Sequence, residues 1–110
     1  MTRNRPTKDA PSLNLQDVAA LARALSDENR LRILLSVCSG KKTVTRIVEE
    51  VNLSQPLVSH HLRELKRALL VQVERSGPFV YYEPAHPGVL DVLEALDALA
   101  ADFLANRKTL

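Results

Sequence analysis

The stretch TVTRIVEEVNLSQPLVSHHLREL, residues 43–65, decides the fold. Thr43 has the side chain of a helix N-cap, and Ile47, Val48 and Val51 behind it form a short apolar stripe. Asn52 comes next; Asn tolerates the left-handed backbone that a tight turn between helices demands. Leu53 can pack inward from that turn. Ser54 is a second N-cap, and Pro56 falls in the first turn, where its missing N–H costs nothing. Val58, Leu62, Leu65 and Leu69 are expected to supply the buried stripe of this helix. Two short helices joined by a few residues, the second capped by Ser and polar outside, make a helix-turn-helix.

Working outward, the pattern beyond Leu69 changes period. Val71, Val73 and Arg75 alternate with Gln72 and Glu74, which predicts a strand; Ser76-Gly77-Pro78 signals a turn; and Phe79 to Glu83 returns as a second strand ended by Pro84. A last helix is expected from about residue 87 to about 106, with Val89, Val92, Leu93, Leu96, Leu99, Ala100 and Phe103 on one side. Upstream, Asn14 caps a helix carrying Val18, Leu21, Ala22 and Leu25. Ser26 is expected to cap the next, with Asp27 and Glu28 at the positive end of its dipole. Leu31, Ile33, Leu34, Leu35, Val37 and Cys38 wrap most of that helix, which makes it central to the core, and Gly40 stops it. The expected class is α+β and mostly helical: a winged helix-turn-helix of roughly five helices plus a two-stranded β-hairpin wing. Residues 1–12, with Arg3, Arg5 and Lys8 between Pro6 and Pro11, read as a flexible basic arm. Residues 13–106 are expected to form one winged helix-turn-helix domain, read from the residues below as DNA-binding and dimerising.

The 110-residue chain has room for one domain, and 45% hydrophobic content suits a globular one. Its longest apolar runs, such as Ile33–Leu35 and Leu69–Val71, fall far short of the ~20 residues that cross a bilayer. The start of the chain lacks an apolar leader, so a cytoplasmic location is expected. Cys38 is the single cysteine, which excludes an internal disulfide framework and a Cys-rich zinc site. Net charge is only +2, but its distribution is uneven. Lys41, Lys42, Arg46, Arg63, Lys66, Arg67 and Arg75 make the middle basic, while Glu83, Asp91, Glu94, Asp97 and Asp102 make the end acidic. One face is therefore suited to phosphates and another is not.

On the side of the second helix opposite Val58, Leu62 and Leu65 stand Gln55, Ser59, His60 and Arg63. Gln pairs with adenine, Arg with guanine, and Ser with a base edge or phosphate; Ser54 and Pro56 start the helix, whose free N–H groups can hold a phosphate, and are expected to meet the same DNA major groove. The competing reading of this face is a solvated surface. Arg75 sits beside the hairpin tip, where it can follow the backbone or enter the minor groove, or simply stay solvated. His61, one residue further round, braces the turn or touches phosphate. Asp27, Asn29 and Arg30 form a polar cluster that capping and phosphate contact explain. No nucleophile stands with a base, and Gly40-Lys41-Lys42 lacks the preceding glycine of a phosphate loop, so no enzyme activity is expected. The apolar stripe of the last helix is too long for so small a core. Val92, Leu93, Leu96, Leu99 and Phe103, with Val18 and Leu21 of the first helix, are expected to pair two subunits.

The residues Ala24-Leu25-Ser26-Asp27-Glu28-Asn29-Arg30-Leu31-Arg32-Ile33-Leu34, the run Leu53 to Leu65, and Leu69-Leu70-Val71 with Glu74-Arg75-Ser76-Gly77 and Val80-Tyr81-Tyr82 resemble, in that order, the second helix, recognition helix and wing of the ArsR/SmtB family of bacterial repressors. The resemblance covers residues 14 to 104. It implies a homodimer joined through its first and last helices, bound to double-stranded DNA at an imperfect palindrome and released by an inducer whose identity the sequence leaves unknown. The family's thiolate sensors carry Cys-x-Cys where this chain has Thr43 and Thr45. Its zinc sensors use Asp, His and Glu positions that match Ala85, Pro87, Ala98 and Ala101 here. None of these side chains binds a metal as a thiolate or imidazole does, so no metal cofactor is expected; His86 lies beside one such position without a partner. Cys38 is expected as a small core residue, with a redox- or sulfur-responsive repressor as the alternative. A winged helix serving protein–protein contact is the other alternative.

Overall fold

The structure, a computed structural model, describes residues 11–107. The basic arm expected over residues 1–12 lies, save for its last two residues, outside them. Five helices and one hairpin follow in the order α1 (Leu15–Ala24), α2 (Glu28–Cys38), α3 (Val44–Val51), α4 (Gln55–Arg67), β1 (Val71–Ser76), β2 (Phe79–Pro84) and α5 (Gly88–Arg107). This is the architecture expected from the sequence.

The caps explain most boundaries. Asn14, Thr43 and Ser54 each accept a hydrogen bond from a backbone N–H three residues on, filling one of the donors a helix start leaves open. At α2 the expectation fails by one residue. The cap is Asp27, whose carboxylate accepts from the Arg30 N–H, while the Ser26 hydroxyl turns back to donate to Arg23 O. Asn52 adopts φ 57° and ψ 46°, the left-handed turn its type permits.

The core is built from Ile33, Leu34 and Val37 of α2, Ile47 of α3, Val58, Leu62 and Leu65 of α4, then Leu70, Val71, Val89 and Leu93. α2 packs against α3, α4, α5 and β2 and so is the central element. Leu31, Cys38, Val48 and Val51, also expected there, are partly buried against it, and two expected core residues lie outside it altogether. Leu35 is half exposed, on the side of α2 turned toward α5. Leu69 is 80% exposed and left-handed at φ 64°. α4 has already ended at Arg67, so the i+4 stripe runs out one turn early and Leu70 takes the core position.

β1 and β2 pair antiparallel, with Val73 opposite Tyr82, Glu74 opposite Tyr81, Arg75 opposite Val80 and Ser76 opposite Phe79. Gly77, at φ 60°, turns the tip. The base of the hairpin is tied to the α2–α3 connector by an isolated bridge, with Lys42 and Tyr82 exchanging both backbone hydrogen bonds.

Candidate nucleic-acid interface

α4 is divided lengthwise. Val58, His61, Leu62 and Leu65 are buried; Ser54, Gln55, Pro56, His60 and Arg63 are exposed, and Ser59 is half-buried at the margin. The turn at Asn52 and the Ser54 cap bring the start of this helix to the surface, with its polar side chains together on the open face. Lys66 and Arg67 continue the basic character along the last turn, where cations also suit the helix dipole.

His61 is the exception on the inner side. Its Nε2 lies 3.9 Å from Asp27 Oδ1, and its Nδ1 has no hydrogen-bond partner among protein atoms. Burial holds its pKa below the usual histidine value, and the nearby Asp27 carboxylate only partly opposes this. The Arg30 N–H, together with lesser charge attraction, holds Asp27 below the ordinary carboxylate range. His61 therefore lies buried where α4 meets the start of α2.

Arg30 does not stand free. Its Nε donates to Ala24 O at 2.7 Å and one terminal nitrogen to Arg23 O at 3.2 Å. The guanidinium closes the C-terminal end of α1 and ties it to α2. Arg75 is exposed two residues before Gly77.

A polar joint beneath the wing went unread in the sequence. The Ser36 hydroxyl donates to Glu50 at 2.7 Å. The Lys42 ammonium reaches Ser36 O, the Ser39 hydroxyl and Glu50. Ser36, then Lys42, hold Glu50 ionised to unusually low pH. The joint fastens the end of α2 to α3, and the Lys42–Tyr82 bridge carries it on to the wing. Its members come from separate elements, so no sequence spacing announces them; only the short Lys41-Lys42 run was visible, as charge.

A second surface has different chemistry. Val18 and Leu21 of α1 and Val92, Leu96, Leu99, Phe103 and Leu104 of α5 are all exposed. Leu93, expected with them, turns into the core of its own chain. An open groove of about 530 Å³ between α2 and α5 is walled by Leu31, Leu35, Leu96 and Ala100, and a smaller one of about 310 Å³ by Leu21, Leu69 and Val92. The space beside α5 is thus apolar and unfilled within one chain.

Cys38 is half-buried, and burial pushes its thiol pKa up. Among the described residues no group of three or more His, Cys, Asp or Glu could hold a metal ion, and no helix is long and apolar enough to cross a membrane.

Comparison with known proteins agrees with this geometry. Residues 27–73 match the family described as bacterial regulatory protein, arsR family. The chain is 34% identical over 99 residues to a probable mercury resistance operon repressor of Streptomyces lividans, covering 90% of this chain and 79% of that protein. It is 37% identical over 97 residues to the HTH-type transcriptional repressor SmtB of Mycobacterium tuberculosis, covering 86% and 70%. Among solved structures, the homodimeric winged helix-turn-helix DNA-binding domain of Mb0332 from Mycobacterium bovis superposes with a TM-score of 0.76 at 28% identity, covering 84% of this chain and 85% of that one.

Proposed function

The chain belongs to the ArsR/SmtB family of DNA-binding transcriptional repressors, and on that premise we propose that it acts as a homodimer reading a palindromic operator with the open face of α4. The observation that carries this reading is the division of α4: a sealed apolar side under an exposed row of Gln55, His60 and Arg63 with Ser59 at its edge. Ser54 and Pro56 approach the backbone at the helix start, and Arg75 does so from the wing. Arg30 enters as the brace of the α1–α2 corner. Dimerisation runs through Val18, Leu21, Val92, Leu96, Leu99 and Phe103; the homodimeric state of the Mb0332 domain supports that pairing.

Regulation in this reading does not pass through a metal. Thr43, Thr45, Ala98 and Ala101 offer no thiolate, imidazole or carboxylate, so chelator or added zinc should leave operator affinity unchanged. A thiol signal through Cys38 is disfavoured, because burial raises its pKa and so lowers the thiolate fraction that reacts.

The decisive experiment is a mobility-shift titration of matched and scrambled operator over a salt series. Gln55→Ala should cost about 1–3 kcal/mol on the matched sequence and relax preference at one symmetric pair of bases. Arg75→Ala should weaken both DNAs and reduce the salt slope by about one per subunit. Equal losses for Gln55→Ala on both DNAs would show that α4 does not read bases.

A further inference from the structure

One exposed ring has no role in the surfaces described so far. Among the described residues, every other exposed large apolar side chain lies on or just before α1, on α5, or lines the grooves beside α5. Phe79 alone stands at the far end of the wing, 55% exposed and opposite Ser76 in the last rung before the Gly77 turn. It is also the head of a row. Its ring lies 6.2 Å from that of Tyr81; Lys41 Nζ sits 5.2 Å from the centre of the Tyr81 ring; and the same ammonium is 2.5 Å from Glu74 Oε2, across the ladder from Tyr81. Aromatic pairing and the cation–π contact each stabilise such a row modestly. Phe79 ends the row at the tip, in contact with Tyr81 on one side and more than half exposed.

Arg75 pairs with Val80, one rung below. Side chains of successive rungs leave a ribbon on opposite faces, so Arg75 and Phe79 flank the tip from its two sides. A tip lying in a groove meets a wall on each side. One side then offers a cation to the negative groove, the other an uncharged ring to sugar edges or a base step. Apolar side chains are used in this way by proteins that enter the minor groove.

We propose that Phe79 is a DNA contact residue, an apolar wedge at the wing tip that enters the minor groove beside Arg75. The proposal rests on the DNA-binding reading of α4 and the wing. The test separates the two contacts by their salt dependence. Phe79→Ala should weaken operator binding about two- to tenfold, the range of one aromatic contact, with an unchanged salt slope because no phosphate is neutralised. Phe79→Leu should keep most of the affinity. The chain contains no tryptophan, so Phe79→Trp places a single tryptophan at the tip, and its emission, excited selectively over the two tyrosines, should shift or be quenched when operator is added. The ring is more than half exposed and pairs with Tyr81, so Phe79→Ala should lower the melting temperature only modestly, while Phe79→Leu and Phe79→Trp should stay near the parent. Unchanged affinity for Phe79→Ala, or tryptophan emission that DNA does not move, would overturn the wedge. If either result came with Gln55→Ala still losing operator preference, the reading helix would stand and only the wedge would fall.

Discussion

α4 and α5 are both apolar along one side, yet the two helices use that side differently. α4 seals its stripe inside its own chain and turns a polar, basic face outward. α5 is 20 residues long and buries only Val89 and Leu93. At 1.5 Å per residue it spans about 30 Å and outruns the core it leans on, leaving Val92, Leu96, Leu99, Phe103 and Leu104 in the open. An apolar stripe in sequence therefore predicts burial without saying in which chain. What lies opposite the stripe, and how long the helix is relative to the core, separates the helix proposed to read nucleic acid from the one proposed to pair subunits.

The largest expected effect comes from spoiling the α5 side. Leu96 is half exposed within one chain, so Leu96→Glu should leave the subunit folded while placing a charge where a second copy is proposed to pack. Sedimentation should show monomers, and operator affinity should fall on the order of 10²-fold or more as the second half-site is lost. A parent chain that is itself monomeric at micromolar concentration would break the comparison at its root.

A smaller effect probes the one titrating group on the sealed side of α4. Burial, mainly, depresses the pKa of His61 below 6.5, helped by Arg30 and His60 and opposed by Asp27 and Glu64. The unfolded chain then binds a proton at a pH where the folded chain does not. This contribution is intact above about pH 6.5 and is lost as pH falls below it. Asp27 shifts in the carboxylate range, so its loss belongs to more acid solution. Between about pH 7.5 and 5.5 the melting temperature should fall as His61 takes up its proton on unfolding. His61→Leu should flatten the profile in that window. An equal slope in both proteins would place the proton uptake elsewhere.

Sequence reading recovered what is local and periodic. The caps at Asn14, Thr43 and Ser54 and the turn at Asn52 follow from single side chains acting on nearby backbone, and the hairpin follows from a period of two. The open face of α4 was legible because polar types there interrupt the stripe at helical spacing. The misses turn on how one element ends or meets the next, which no single side chain announces. Ser26 and Asp27 are both capping residues, and the corner where Arg30 holds the end of α1 selects Asp27. The joint of Ser36, Lys42 and Glu50 forms only after α2 and α3 have docked. Leu93 and Leu96 lie on the same stripe, and only the position of the core edge sends one inward and the other out.

Leu69 tests where that edge runs, and its expected effect is the smallest. It follows the end of α4 with a left-handed backbone, which costs a residue with a Cβ roughly 1–2 kcal/mol, and 80% exposure means that little burial offsets the cost within one chain. Asn accepts this conformation more readily. Leu69→Asn should therefore raise thermal stability by a few tenths to about 1 kcal/mol, without altering the monomer–dimer equilibrium. Yet Leu69 also lines the groove beside Leu21 and Val92. If a second copy covers that groove as far as Leu69, the substitution would remove up to about 1.5–3 kcal/mol of burial and the dimer would dissociate more readily. Melting and sedimentation of the same variant separate the two outcomes. A more stable chain with unchanged pairing keeps α4 and α5 as distinct surfaces; a weakened dimer would mean that the apolar surface of α5 extends around the end of α4.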